Sequence, residues 1–266
     1  MSVRSSSIVD LPRALHGDEL ARRIGDARPA MFLDYDGTLT PIVRRPERAV
    51  LSNSIREILR MLVANMPVAI LSGRDLEDVR RRVDVEGILY AGSHGFDIAG
   101  PRELRKQVAT EFLPILDAVE KELKQKLADI HGALLERKRF SIAAHYREVT
   151  DQSLPQLEQA VNETAAHHRE LRKMASKKVH ELQPNIDWDK GKAVLWLLEV
   201  MGSESREIFP IYIGDDLTDE DVFRAIKQRG VGIVVSEQPR PTAARYALKN
   251  PTEVERFLRQ IAARML

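Results

Sequence analysis

Short apolar runs alternate with amphipathic stretches towards both ends of the chain. Met31–Asp34, Val68–Leu71, Ile88–Tyr90, Ile211–Ile213 and Val231–Val235 are near-continuous apolar runs bounded by Gly, Pro, Ser or Asp. Runs of this kind suit short strands buried on both faces, as in a parallel sheet. Between the first two, Ile55, Ile58, Leu59 and Leu62 recur at helical spacing, and Ser54 with Glu57 forms a capping-box pattern. Lys192–Val200 and Asp219–Lys227 read as further helices, each ahead of a later strand. Strand–helix–strand alternation predicts an α/β core, a parallel sheet flanked by crossover helices.

The middle of the chain follows another rhythm. Phe112, Ile115, Leu116, Val119, Leu123 and Leu127 line one face of a long helix, with Gly132 as its expected stop. Ala133–Tyr146 has room for one or two strands, Leu157, Val161, His168 and Leu171 mark a second helix, and Lys178–Gln183 reads as a strand. This order predicts an α+β module inserted into the α/β core. The expected division is 1–101 for the first part of the core, 102–184 for the insert and 185–266 for the second part. Gly100–Pro101 and Pro184 are the expected hinges.

Composition narrows the class. Of 266 residues, 43% are hydrophobic and 30% charged, which describes a folded globular chain. A net charge of +1 without long like-charge blocks argues against a nucleic-acid surface. Zero cysteines exclude disulfides and thiolate metal sites. The first thirty residues lack a signal-type apolar core, and the apolar stretch Met61–Leu71 is interrupted by Asn65 and Pro67. No membrane partner and a cytoplasmic location are the expectations; nothing in the pattern sets an oligomeric state.

The candidate chemistry sits where strands are expected to end. Asp34 and Asp36 close the first run, Ser72-Gly73-Arg74 the second, and Asp215 with Asp216 follows the Ile211–Ile213 run. In an open parallel sheet, ligands bind at the carboxyl ends of the strands. Carboxylates gathered there repel a phosphate unless a cation intervenes, and Mg²⁺, which takes hard oxygen ligands, is the expected one. A calcium-loop reading of the segment from Asp34 fails, because Thr38 and Arg45 stand where carboxylates belong. Asp219 to Asp221 reads as the acidic start of a helix.

The ordered set Asp34/Asp36, Ser72, Lys190 before Gly191, and Gly214-Asp215-Asp216 resembles the four motifs of the haloacid dehalogenase superfamily of phosphatases. Finer segments resemble trehalose-6-phosphate phosphatases: LDYDGTLTPI, LSGRDLEDV, AGSHGFDI, Glu136-x-Lys138-x-Phe140-Ser141, His145-Tyr146-Arg147, ELQP, WDKGKA and GDDLTDEDVF. The resemblance implies a Rossmann-like core with an inserted cap and a sugar phosphate as small-molecule substrate.

An ionised aspartate is a competent nucleophile for phosphorus, which suits Asp34 to form an aspartyl-phosphate that water then hydrolyses. Asp36, two residues on, leans to the same face and is placed for general acid and base work. Lys190 would neutralise phosphoryl charge, and Ser72 and Gly73 would hold phosphate oxygens. Asp34, Asp36 (through its carbonyl, by resemblance), Asp215 and Asp216 form the expected metal set. In the insert, Glu136 and Lys138 share a strand face, and with Glu181, Arg74 and His94 they are the expected substrate contacts. Trp188 and Trp196 read as packing residues. Competing functions are a phosphatase of sucrose 6-phosphate or glucosylglycerol phosphate, a sugar phosphomutase, and a phosphoacceptor module without turnover.

Overall fold

The computed structural model describes residues 6–15, 18–43, 45–176, 178–202 and 207–264. The chain divides into two compact units, one of Met1–Lys106 with Trp188–Leu266, the other Gln107–Asp187. Along the first unit run β1 (Arg28–Asp34), α1 (Asn53–Asn65), β2 (Val68–Leu71), α2 (Leu76–Val83), β3 (Leu89–Gly92), β4 (Asp97–Ala99) and β5 (Arg105–Gln107), whose last residue opens the second unit. The second unit holds α3 (Leu113–Lys126), β6 (Leu134–Lys138), β7 (Ser141–His145), α4 (Leu154–His167), β8 (Leu171–Ser176) and β9 (Val179–Pro184). The chain then returns to the first unit through α5 (Lys190–Met201), β10 (Ile208–Gly214), α6 (Asp219–Ile226), β11 (Val231–Val235), β12 (Tyr246–Leu248) and α7 (Pro251–Arg264).

The first unit is built on an eight-stranded sheet of order β12-β11-β10-β1-β2-β3-β4-β5. Neighbours from β12 to β3 pair in parallel, and β4 runs antiparallel to β3. Alternation along β1 feeds two cores. Met31 and Leu33 join Ile58 and Leu62 of α1 and Phe257 of α7 on one face. Ala30 and Phe32 join Val194 and Leu197 of α5 and Phe223 of α6 on the other. Helices on both faces explain why these strands read as unbroken apolar runs. The second unit is a four-stranded antiparallel sheet of order β6-β7-β9-β8, with α3 and α4 closing its own core around Leu116, Leu123, Ile142 and Leu157.

Three local expectations need correction. Leu171, expected on the second helix of the insert, opens β8, because α4 ends at His167 with His168 as its cap. The cap of α1 is Ser52, in extended conformation and accepting from the Ile55 N–H at 3.1 Å, not Ser54. Ser54 lies inside the first turn, where its hydroxyl donates to Glu255 of α7 instead. Gly132 does not stop α3, which ends at Lys126; a run of turns separates the helix from β6, and Gly132 sits there against the Glu148 backbone. Helices α2 and α7 escaped the pattern because Arg and Glu fill their outer faces; their apolar positions, such as Val79, Val83, Val254 and Phe257, number only a few each.

Candidate active site

Four neighbouring strands deliver side chains to one end of the sheet. Asp34 is the last residue of β1, Ser72 follows β2, Ser93 and His94 follow β3, and Asp215 follows β10. The order β10-β1-β2-β3 makes these chain ends adjacent, so residues far apart in sequence share one carboxyl edge.

Asp34 is buried, and its Oδ1 accepts from Lys190 Nζ at 2.8 Å. The same ammonium donates to Asp219 Oδ1 at 2.8 Å. Asp219, at the start of α6, has no solvent exposure and also receives the Tyr212 hydroxyl at 2.6 Å and the Asp216 N–H at 2.9 Å. Burial works against a charge on Lys190, but Asp219 and Asp34 outweigh it and hold the amine protonated, its pKa raised well above the ordinary lysine value. Burial pushes Asp34 upward as well, opposed by Lys190 and reinforced by Asp219 and Asp215. Three acids against one lysine leave the cluster short of positive charge.

The donor set fits a hard divalent cation. One oxygen from each of Asp34, Asp215 and Asp219 lies within 4.8 Å of the others. The backbone makes room for this grouping. Gly37 has φ +90°, and a Cβ there would stand 2.2 Å from Asp215 Oδ2. Beside the acids, the hydroxyls of Thr38 and Thr218 are buried and find no hydrogen-bond partner among the described residues.

Asp36 lies on the more open side. Arg74 grips it with two hydrogen bonds, Nε to Oδ2 at 2.7 Å and Nη2 to Oδ1 at 2.8 Å, and reaches Asp78 through Nη1 at 2.9 Å. The Arg74 backbone N–H donates to the Ser72 hydroxyl oxygen at 3.1 Å, which closes the 72–74 turn. His94 stands over Gly73, where a Cβ would meet its ring at 2.7 Å. Only glycine leaves room for that approach.

The described geometry therefore brings Asp34, Asp36, Ser72, Gly73, Arg74, His94, Lys190 and Asp215 to one end of one sheet. Asp216 takes part through its N–H on Asp219. The residue that sequence reasoning passed over is Asp219, together with its hydroxyl donor Tyr212. Its signal was the third acid in Asp215-Asp216-x-x-Asp219, masked by the ordinary habit of helices to begin with solvated carboxylates. Asp221 keeps that surface role, paired with Arg224, whereas Glu220 turns inward to accept from Thr242 and the Ala243 N–H.

The second unit has its own charged cluster. Lys138 Nζ donates to Glu181 Oε1 at 3.0 Å, the Ser141 hydroxyl donates to the same oxygen, and His145 Nε2 meets Glu136 Oε2 at 2.8 Å. The His145 bond, ahead of the opposing effect of burial, holds Glu136 below the usual glutamate range.

The comparisons with known proteins decide the family. The trehalose-phosphatase family model matches residues 32–252, across both units. This chain belongs to the trehalose-phosphatase family. Probable trehalose-phosphate phosphatase D of Arabidopsis thaliana is 42% identical over 92% of this chain and 70% of its own length. Among solved structures, the C-terminal domain of trehalose-6-phosphate phosphatase from C. albicans superposes with TM-score 0.82 at 24% identity, covering 95% of this chain and 99% of that one. A haloacid dehalogenase-like hydrolase from Bacteroides thetaiotaomicron gives TM-score 0.63 at 18% identity over 89% and 100%. These structural likenesses carry the fold, the α/β core with inserted module expected from sequence. As a trehalose-phosphatase family member the chain is a phosphatase, an enzyme of the hydrolase class. No helix among the described residues is long and apolar enough to cross a membrane.

Proposed function

We propose that this phosphatase hydrolyses trehalose 6-phosphate to trehalose and inorganic phosphate through an aspartyl-phosphate on Asp34, with Mg²⁺ as cofactor. The observation that carries the reading is the Asp34–Lys190–Asp219 group at the carboxyl edge of the sheet, with Asp215 beside it. Asp34 attacks phosphorus with its free carboxylate oxygen while Lys190 holds the other. Asp34, Asp215 and Asp219, with Asp36 and Asp216 as the remaining oxygen donors named from sequence, would hold the cation. When bound, it offsets the charge of the acids and of the phosphoryl oxygens.

Ser72 and the Gly73 N–H hold phosphate oxygens, with Lys190 beside them. Arg74 occupies both oxygens of Asp36, so proton transfer at Asp36 requires the guanidinium to let go. A phosphate dianion is the ligand for which it lets go, since a guanidinium fork matches phosphate as well as carboxylate. Released, Asp36 takes up a proton from solvent, gives it to the departing sugar oxygen and then takes one from the water that attacks the aspartyl-phosphate, which returns it to the protonated form for the next turnover. His94 borders the phosphate turn. In the second unit, Glu136, Lys138 and Glu181 read the sugar hydroxyls. We place the reaction in the cytoplasm; a chain without cysteine needs no oxidising compartment to fold.

The test is a panel of sugar phosphates assayed for released phosphate with Mg²⁺. Trehalose 6-phosphate should give the highest kcat/KM. Preference for sucrose 6-phosphate or glucosylglycerol phosphate would reassign the substrate, and stoichiometric phosphorylation without phosphate release would mean a phosphoacceptor.

A further inference from the structure

The chain leaves the first unit after Lys106 and re-enters it at Trp188. The two crossing points meet: Lys106 Nζ lies 5.6 Å from the Trp188 ring centroid and 5.0 Å from that of Trp196. Trp188 does more than pack. Its Nε1–H donates to the Gly95 carbonyl at 3.0 Å, across 93 residues of sequence.

Gly95 belongs to an unusual turn. Ser93 and His94, just before it, both hold left-handed backbone, with φ 48° and 57°. Non-glycine residues adopt this region only at a steric cost and keep it only where surroundings fix them. The fixing contacts here point at the phosphate turn. The Ser93 N–H donates to the Arg74 carbonyl at 2.6 Å and the His94 N–H to the Ser72 carbonyl at 2.9 Å. The Ser93 hydroxyl donates to Asp75 Oδ1 at 2.9 Å, and the His94 ring stands over Gly73. The strained turn is thus a template for Ser72-Gly73-Arg74. The Ser72 N–H donates to the Ala91 carbonyl and the Arg74 N–H to the Ser72 hydroxyl, so fixing the Ser72 carbonyl sets the one peptide whose N–H, that of Gly73, is offered to a phosphate. Trp188 anchors the far side of that template.

We propose that Trp188 is a positioning residue for phosphate binding: by holding the Gly95 carbonyl it keeps the Ser93–His94 turn in its strained form, and through it the Ser72–Arg74 turn. The tryptophan sits at the point where the chain returns from the second unit, so the linker and the phosphate turn share one hydrogen bond. This inference rests on the phosphatase reading, but on its phosphate end alone, not on trehalose as the leaving group.

The experiment uses the full chain with Mg²⁺. Trp188→Phe keeps an aromatic ring and removes the N–H; Trp196→Phe serves as the packing control. Loss of one neutral hydrogen bond at a strained turn should raise the KM for p-nitrophenyl phosphate and for trehalose 6-phosphate alike, about fivefold to tenfold, and weaken inhibition by inorganic phosphate by the same factor. Trp196→Phe should leave all three within about twofold, inside the range of a conservative packing change. In a His94→Ala background, Trp188→Phe should cost little more, because both substitutions break one linkage. If the phenylalanine variant folds poorly, benzothienylalanine at 188 keeps the two-ring shape and still lacks the N–H. Unchanged phosphate inhibition in a folded variant overturns the proposal. So does a loss confined to the sugar phosphate, or full additivity with His94→Ala. Failure to hydrolyse trehalose 6-phosphate at all, with p-nitrophenyl phosphate still turned over, would instead overturn the substrate assignment and leave this test intact.

Discussion

Asp219→Asn is the substitution that separates the geometry from the motif. The side chain has three donors, Lys190 Nζ, the Tyr212 hydroxyl and the Asp216 N–H. An amide can keep its oxygen on two of them, but it turns an NH₂ towards the third. Removing one partner of a buried ion pair costs about 3–5 kcal/mol, and a hydrogen bond to a charged group is worth about 1.5–3 kcal/mol. Some of that loss is offset, because Asp34 and Asp215 shed a nearby like charge. The net expectation is a loss of about 2–4 kcal/mol, read as a Tm lowered by about 5–15 °C for a chain of this size. The melt belongs in chelator, so that metal binding does not enter the comparison. Turnover of p-nitrophenyl phosphate with Mg²⁺ should fall at least about a hundredfold, since both the lysine and the acid cluster lose their organiser. Tyr212→Phe, which removes one hydroxyl donor, should cost about 1 kcal/mol and much less activity. An Asp219→Asn protein that melts with the parent and turns over within about threefold of it would refute the role given to this residue.

Four further outcomes follow from the same geometry. Gly37→Ala should abolish Mg²⁺-dependent activity, since its Cβ would collide with the Asp215 carboxylate 2.2 Å away and its φ of +90° disfavours a side chain; normal turnover would show that the Asp215 approach is dispensable. Activity should vanish in chelator and return on adding Mg²⁺, and full activity in metal-free buffer would sink the cation's part in the account. Alanine at Glu136, Lys138 or Glu181 should lower kcat/KM for trehalose 6-phosphate about tenfold while sparing p-nitrophenyl phosphate, as expected for lost hydroxyl contacts of about 1–3 kcal/mol; parallel loss on both substrates would place these residues outside sugar recognition. In the second unit, burial opposes ionisation of Glu122, but Lys126, His168 and Thr164 overcome it and lower its pKa to about 2. A depressed carboxyl stabilises the fold above its unfolded value, about 4.3, and the contribution is lost as pH falls towards 2, so Glu122→Gln should flatten the acid limb of the Tm profile. An unchanged limb would mean that these contacts do not persist in solution.

The strands were the most legible part of the chain because helices cover both faces of the sheet. Val68–Leu71 and Val231–Val235 needed no alternation to be found, and their ends matched. What pattern alone missed were elements with thin apolar faces, such as α2 and the short strands β4 and β5 at the sheet edge. The acids were legible as a set because a strand terminus fixes where Asp34 and Asp215 emerge. Asp219 was not, since burial of a helix-start carboxylate depends on a lysine 29 residues earlier and a tyrosine on the neighbouring strand. Nor could sequence show that Arg74 holds Asp36, or that Trp188 reaches Gly95. Both contacts join residues far apart in sequence, 38 and 93 positions, that only the folded chain brings together.

The most direct test traps the intermediate. The full chain is mixed with trehalose 6-phosphate and Mg²⁺, quenched with borohydride and digested for mass spectrometry; borohydride reduces an aspartyl-phosphate to homoserine. The account predicts homoserine at position 34, formed only with substrate present and absent from Asp34→Asn. Homoserine at another aspartate, or steady phosphate release with none at position 34, would contradict it.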